Sequence, residues 1–229
     1  MALRCVLARE AGEREAVYRL RYACYFRKGS IAAREDRMFH DRFDETANHF
    51  SFLARDEEGE AAATVRVGVV MPREGWSESP SGAVFGDHPG YGELARDSYV
   101  EASRLCFAPR ARRDALMGLL GHMAALADWF ETAWLVACPR EEHAGAYERL
   151  FGFRAMAEPR RYFGVDFQTR LLAIRREELR ERAESAGAMW PAWRAALDGL
   201  RGAEGWGWTR DDGEEPLGGH RRAEELVTR

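Results

Sequence analysis

Lysine is all but missing from this chain. Of 229 residues only Lys28 is a lysine, so the basic character is carried by arginine. Positive charge is not in surplus either. Asp and Glu number 38 against 34 for Lys and Arg, a formal net charge of -4. This argues against a general nucleic-acid binder, whose affinity depends on a cationic surface. Long apolar runs are absent as well. The opening Met1-Ala-Leu-Arg-Cys-Val-Leu-Ala-Arg-Glu10 is too short an apolar run for a signal peptide, and no window approaches a spanning length. A cytoplasmic location with no integral membrane segment is the expectation. Cys5, Cys24, Cys106 and Cys138 are widely scattered, without the close pairs of a zinc site or a redox motif, which predicts buried or half-buried free thiols and no metal. No Gly-rich dinucleotide or phosphate-loop fingerprint occurs.

What is present is the composition of a soluble globular protein, 46% hydrophobic and 31% charged, with length for one large or two small domains. Arg4 to Ala8 alternates as a strand. Ala16, Val17, Leu20, Ala23 and Cys24 recur at helical spacing, which predicts a helix over 10–25 with one face on a sheet. The charged segment 27–48 lacks periodicity, and segments of that length are functional or disordered. His49 to Arg55 and Glu60 to Val70, joined by Asp56-Glu-Glu-Gly59, predict an antiparallel hairpin. Arg66, between Val65 and Val67, points either to solvent or to a buried anion. The Gly-, Pro- and Ser-rich stretch 71–94 reads as a long irregular connection over a site or on the surface.

Tyr99 to Phe107 is a further strand, and Arg112 to Thr132 a helix whose apolar face holds Leu116, Leu119, Leu120, Met123, Leu126, Ala127 and Phe130. A buried strand over 133–137 and a helix over 142–151 capped by Gly152 follow, then strands within 153–157 and 162–174. A charged helix over 176–184 and an amphipathic run with Trp190, Trp193, Leu197 and Leu200 lead into a Gly-rich, polar tail from Gly202. The order predicts an α/β (α+β) fold with a mixed, mostly antiparallel central sheet flanked by helices. The domain spans residues 1–175, and a helical extension with a flexible tail spans 176–229.

Two stretches carry candidate chemistry. Glu101-Ala-Ser-Arg104 places a carboxylate and a guanidinium three residues apart on a strand, with arginines at the helix start that follows. It is either a strand-edge salt bridge beside solvated arginines, or acid-base chemistry beside an anion-binding end. His40-Asp41-Arg42-Phe43-Asp44 is either a charged turn or a pair of carboxylates for a cationic group.

The runs Phe107-Ala-Pro109-Arg-Ala-Arg112-Arg-Asp-Ala115-Leu-Met117 and Tyr147-Glu-Arg-Leu150-Phe151-Gly152-Phe153 resemble motifs of the Gcn5-related N-acyltransferase (GNAT) superfamily. Val17-Tyr-Arg-Leu-Arg21-Tyr-Ala-Cys-Tyr25, Asp41-Arg-Phe-Asp44, Thr64-Val-Arg66 and Glu101-Ala-Ser-Arg104-Leu105 resemble its autoinducer-synthase branch, and within it the long-chain N-acyl amino acid synthases. The resemblance covers residues 3–175. Met117 departs from the small residue usual at its position. Ile31 stands where homoserine-lactone synthases usually carry tryptophan, as in the amino acid synthase relatives, which puts lactone synthesis in doubt.

The resemblance implies a GNAT-like acyltransferase domain over 1–175. The implied reaction transfers a fatty acyl group from an acyl carrier protein thioester, or acyl-coenzyme A, to the amine of an amino acid or related small amine, with no tightly bound cofactor. Glu101 is implied as the base, since a protonated amine has no lone pair, and Arg104 as the group that holds its carboxylate. Backbone N–H groups from Leu105 to Phe107 are candidates for the oxyanion. Arg112, Arg113 and Ala115 would cradle the donor's phosphate. Arg21, Tyr25, Asp41, Asp44 and Arg66 would bind the acceptor or order the segment beside it. Arg110, Arg112, Arg113, Arg140, Arg149, Arg154, Arg160 and Arg161 are either a basic face for an acidic carrier protein or a scattered solvated surface. Leu119, Met123, Trp129, Trp134 and Phe153 either line an acyl tunnel or are core. Lactone synthesis from S-adenosylmethionine and non-catalytic binding of acyl chains or carrier protein are the alternatives.

Overall fold

A computed structural model of the chain describes residues 4–109, 111, 113–186 and 189–201. Arg110, Arg112 and the expected tail from Gly202 lie outside the described residues. Seven strands form the central sheet: β1 (Arg4–Leu7), β2 (His49–Arg55), β3 (Ala61–Val70), β4 (Tyr99–Phe107), β5 (Trp134–Ala137), β9 (Leu172–Arg175) and β6 (Arg154–Ala155), in that spatial order. Among the described strands only β4 and β5 run parallel, and every other neighbouring pair is antiparallel. A separate two-stranded ribbon joins β7 (Arg160–Arg161) to β8 (Gln168–Thr169).

Strand alternation divides the sheet into two faces. One face presents Phe50, Phe52, Val65, Val67, Val69, Val100 and Ala102. These pack with Ala115, Leu119, Leu120 and Met123 of α4 (Arg113–Trp129) in a single core. The C-terminal helices α6 (Arg176–Ala186) and α7 (Trp190–Arg201) join that core through Leu179, Trp193, Leu197 and Leu200. Trp193 is fully buried, and its Nε1 donates to Asp128 at 2.9 Å. The approach of α7 to α4 is close enough that a Cβ at Gly121 would lie 2.7 Å from the Ala192 carbonyl carbon.

The opposite face is polar where it matters. It is covered at one end by α1 (Ala11–Arg27), whose Val17, Leu20 and Cys24 turn inward together with Arg21. At the other end lie α2 (Pro80–Phe85) and α3 (Pro89–Leu94), which bury Phe85, Tyr91 and Leu94. The stretch 71–94 is thus less irregular than its composition predicts. Ser79 and His88 each cap a helix whose first residue is proline, accepting from the N–H of Gly82 and Gly90; proline suits that position because its missing N–H is not needed there.

One irregularity organises the site. Arg66 pairs with Ser103 but Thr64 pairs with Cys106, so β4 carries one more residue than β3 between those points. This is a β-bulge. Arg104 sits inside it with φ of 55°, a left-handed conformation that costs a non-glycine residue about 1–3 kcal/mol. Strict alternation would put Glu101 and Arg104 on opposite faces. The extra residue returns Arg104 to the Glu101 face and sends Leu105 and Phe107 to the α4 side, where both pack on the core.

Candidate functional site

Around Arg104 the polar face holds a buried ionic network. Segment 42–45 is a single 3-10 turn in which the Phe43 N–H donates to Asp41 and the Asp41 N–H donates to Asp44, so the two carboxylates turn toward the sheet. Arg21 donates to Asp44 at 2.7 Å and to Ser51 Oγ at 2.8 Å. Arg66 donates to Asp41 at 2.6 Å, to Asp44 at 3.1 Å and to Ser103 Oγ at 3.1 Å. Arg104 reaches Asp41 Oδ2 with Nη2 at 2.7 Å and Nε at 3.2 Å. The question left open at Arg66 is answered by its position: it is fully buried against anions.

Burial alone would push Asp41 and Asp44 up, but the facing guanidiniums outweigh it. Arg66 and Arg104 hold Asp41 well below the usual carboxylate range, and Arg21 and Arg66 lower Asp44. Against their own burial, Asp44 and Asp41 raise Arg66, and the facing Tyr25 and Tyr162 together with Asp41 raise Arg104. Three guanidiniums face two carboxylates, so the network carries one positive charge beyond its own anions. Arg66 Nη2 and Arg104 Nη1 are buried with no hydrogen-bond partner among the described residues. The rings of Phe39, Tyr162, Phe163 and Tyr25 surround the Arg104 guanidinium at 4.5–5.6 Å.

Glu101 lies two residues before Ser103 on the same face, completely buried. Arg104 was expected to hold its carboxylate; the structure gives that task to Ser81. The Ser81 N–H donates to both Glu101 oxygens at 3.0 and 3.1 Å, and its hydroxyl donates at 2.6 Å. Arg104 is instead turned by the bulge toward Asp41. Behind Ser81, the Tyr99 hydroxyl lies 2.8 Å from Ser79 Oγ and 3.0 Å from the Tyr91 hydroxyl. Desolvation pushes the Glu101 carboxyl up to about 7, with the Ser81 donors working against the rise. Such a carboxylate is half-ionised near neutral pH, where a base exchanges protons most readily.

The structure therefore brings Arg21, Tyr25, Asp41, Asp44, Arg66, Glu101 and Arg104 to one face. Phe107 is not with them: its side chain packs on the α4 side, and its carbonyl accepts from Cys24 Sγ at 3.1 Å. Ala115 is fully buried in the α4 core, and Arg113 is the first residue of that helix. Pairing of β4 with β5 ends at Ala102 and Ala137, while β4 continues to Phe107. Past that point no described strand covers this edge of β4. Beneath the split, Ala102, Leu120, Met123 and Ala137, Tyr147 and Phe151 of α5 (Glu141–Phe151), and Phe153, Leu179 and Met189 line a small apolar cavity. Of the acyl-tunnel candidates, Met123 and Phe153 line this cavity, Leu119 and Trp129 pack in the α4 core, and Trp134 packs with Tyr99 in a separate cluster. An open cleft of about 840 Å³ lies outside, between Gly29–Ala32, Ala83 and Val84, and 160–166. Tyr162 on its wall also faces Arg104.

Four of the eight arginines expected to form a basic face are paired with acids. Arg140 meets Glu142, Arg154 meets Glu178, Arg160 meets Asp87 and Arg161 meets Asp166. Sequence reasoning missed Ser81, His49, Tyr162 and the hydroxyls behind Ser81. Ser79-Pro80 is a helix-start signal that was legible and would have located α2; that Ser81 reaches Glu101 is tertiary. Among the described residues no cluster of His, Cys, Asp and Glu is arranged to hold a metal, and no helix is long and apolar enough to cross a membrane.

The profile of the N-acyl amino acid synthase FeeM family matches residues 16–175. No curated protein matches the sequence. Among solved structures, FeeM, an N-acyl amino acid synthase from uncultured soil microbes, is similar with a TM-score of 0.64 at 17% identity, covering 79% of this chain and 96% of that one. The acyl-homoserine lactone synthase LasI gives 0.56 at 11% identity, over 76% and 89% of the two chains. BjaI, a coenzyme A-dependent acyl-homoserine lactone synthase, gives 0.52 at 17% identity, over 81% and 89%. At these identities the likeness is one of fold.

Proposed function

The chain belongs to the N-acyl amino acid synthase FeeM family and is an N-acyltransferase, and from that premise we propose that it moves a fatty acyl group from an acyl carrier protein thioester to the α-amine of an amino acid. Glu101 takes a proton from the acceptor's ammonium. The freed lone pair attacks the thioester carbonyl carbon and the C–N bond forms. The C–S bond then breaks, and the second proton lost by nitrogen ends on the leaving sulfur. The acyl chain enters at the strand split, and the side chains lining the small cavity there, among them Met123, Tyr147 and Phe153, must move apart to admit it. Ala102 follows Glu101 on β4 but points through the sheet, so base and acyl pocket meet across the strand split.

The observation that carries the acceptor is the surplus positive charge. Arg66 and Arg104 each hold a buried guanidinium nitrogen with no hydrogen-bond partner among the described residues, on the face that carries Glu101. A carboxylate on the acceptor supplies the missing anion while its ammonium faces Glu101. The paired arginines at the surface do not oppose a carrier protein, because exposed ion pairs are worth about 0–1 kcal/mol and exchange partners readily.

The test is an assay of thiol release with acyl-carrier-protein and acyl-coenzyme A donors. Acceptors are free amino acids, their carboxamides, the decarboxylated amines and S-adenosylmethionine. The expected product is the acyl amino acid, with kcat/KM for the carboxamide lower by roughly 100-fold, the scale of a buried charge-assisted hydrogen bond. Equal turnover of amino acid and carboxamide refutes the acceptor argument. An acyl lactone from S-adenosylmethionine replaces it with signal synthesis, and absence of thiol release with every acceptor favours a binding module.

A further inference from the structure

We propose that His49 binds the acceptor's amine, with Nε2 accepting a hydrogen bond from an N–H held between the imidazole, which leans over Gly68, and Glu101. The proposal rests on the amine-acyltransferase reading above and adds a residue to it.

Three strands place the groups. His49 on β2 pairs with Gly68 on β3, and Gly68 pairs with Glu101 on β4. Directly paired residues project to the same face, and neighbouring strands lie about 4.8 Å apart, so His49 and Glu101 flank the Gly68 position from its two sides. Gly68 has no side chain, and the imidazole fills part of that space. A Cβ built on Gly68 would lie 2.6 Å from His49 Nε2 and 2.8 Å from its Cδ2. The ring thus leans across β3 toward the strand of Glu101, Nε2 leading.

Hydrogen bonding fixes which nitrogen carries the proton. Asn48 Nδ2 donates to the carbonyls of Val69 and Glu78, both at 3.0 Å, so its Oδ1 is the atom 3.0 Å from His49 Nδ1. Thr46 Oγ1 lies 2.7 Å from the same nitrogen and gives its own proton to the Phe43 carbonyl. Both neighbours of Nδ1 are left as acceptors, so Nδ1 bears the hydrogen and Nε2 presents a bare lone pair. That nitrogen is buried and has no hydrogen-bond partner among the described residues. Burial first, and then the nearby Arg66, push the His49 pKa down to about 3, against the attraction of Asp44 and Asp41. The ring stays neutral at physiological pH. Its role is therefore to accept a hydrogen bond, not to take the proton.

The reaction leaves two directed jobs at nitrogen. The ammonium gives one proton to the Glu101 carboxylate, a second N–H is held by Nε2, and the lone pair so exposed is aimed by these two contacts. When the C–N bond forms and the C–S bond breaks, the last surplus proton passes to sulfur and His49 ends as it began.

Steady-state kinetics on His49→Phe and His49→Gln test this. Phenylalanine keeps the ring that packs 5.4 Å from Phe43 but removes both nitrogens; glutamine returns an oxygen acceptor. The expected result for His49→Phe is a rise of roughly ten-fold or more in KM for the amino acid, with KM for the acyl donor unchanged, on the scale of one lost hydrogen bond to a charged group. His49→Gln recovers at least part of that loss. An acceptor KM within two-fold of wild type in His49→Phe, or equal impairment of both variants, overturns the proposal.

Long-range proton–nitrogen NMR of histidine-labelled wild-type protein adds a readout that needs neither a foldable Phe variant nor turnover. The His49 signals, identified by their loss in His49→Gln, must show the neutral Nδ1–H tautomer, and Nε2 must shift when amino acid is added without donor. An Nε2–H tautomer, or no shift at saturating amino acid, overturns the proposal. If wild type forms no amide with any amino acid, the acyltransfer reading fails instead, and the tautomer still scores His49 by itself.

Discussion

Replacing Glu101 by glutamine separates the chemistry of this carboxyl from its structural role. Its ordinary pKa of 4.5 is pushed up to about 7 in the fold. Between those two values the folded chain keeps a proton that the unfolded chain has released. The stability therefore falls as pH rises through this window, and at 1.36 kcal/mol per pH unit the loss is about 3 kcal/mol by pH 8. A glutamine does not titrate, and its oxygen still accepts from Ser81. Glu101→Gln is thus expected to match wild type at pH 4.5 and to exceed it by up to about 3 kcal/mol at pH 8. Turnover should fall by about 10²–10⁴-fold if the carboxylate is the base. The assays are denaturant melts from pH 4.5 to 8 and thiol release at saturating donor. The ascending limb of kcat/KM near pH 7 must vanish with the variant. A Glu101→Gln enzyme that unfolds with the same pH slope as wild type refutes the perturbed carboxyl, and one that keeps activity within about ten-fold refutes the base.

Further outcomes follow from the same geometry. Ser81→Ala removes the 2.6 Å donor to Glu101, so the neutral form gains and the limb near pH 7 moves toward alkaline pH by about one pH unit, read from the kcat/KM profile. Asp44→Ala leaves Arg21 and Arg66 without their shared buried carboxylate and should cost about 3–5 kcal/mol in denaturant melts. The depressed pKa values of Asp41 and Asp44 stabilise the fold above 3.8 and lose that effect as pH falls toward their folded values. Wild type should therefore lose stability in acid below pH 4, and the Asp44 variant should lose less. Met123→Ala enlarges the apolar cavity under the strand split; it should destabilise by about 2–5 kcal/mol and shift preference toward longer acyl donors, measured by competing chain lengths in one assay.

The helix-to-sheet order was legible because hydrophobic period reports it directly. The 3.6-residue stripe of α4 and the hairpin of β2 and β3 appear where the pattern places them. The candidate acids and guanidiniums were legible too, since four separated motifs carry them. Their partnerships were not. Glu101 and Arg104, three apart, invite a salt bridge, and a pattern of period two cannot reveal that an extra residue in β4 rotates Arg104 toward Asp41. Ser81 lies twenty residues before Glu101 in a stretch whose glycines and prolines read as loop. Neither charge nor period marks it. His49 looked like the first residue of a strand, and its meaning depends on the absent side chain of Gly68 one strand away. Composition carries no trace of such a juxtaposition.

The electrostatics of the two halves of the face fit together. With Glu101 ionised, three guanidiniums meet three carboxylates, but the third carboxylate stands apart on Ser81 and only partly offsets the charge at Arg66 and Arg104. An amino acid brings a negative and a positive group separated by one carbon. Its carboxylate satisfies the free nitrogens of the arginines, and its ammonium satisfies Glu101. The bound state is neutral overall, which is what a desolvated site tolerates. Moving the proton from nitrogen to Glu101 then leaves the acceptor carboxylate as the sole counterion of the surplus guanidinium. That carboxylate is worth more after proton transfer than before it, so it favours the reacting form over the resting one. An acceptor lacking it, whose proton transfer would leave a buried positive charge unpaired, should therefore lose kcat as well as affinity.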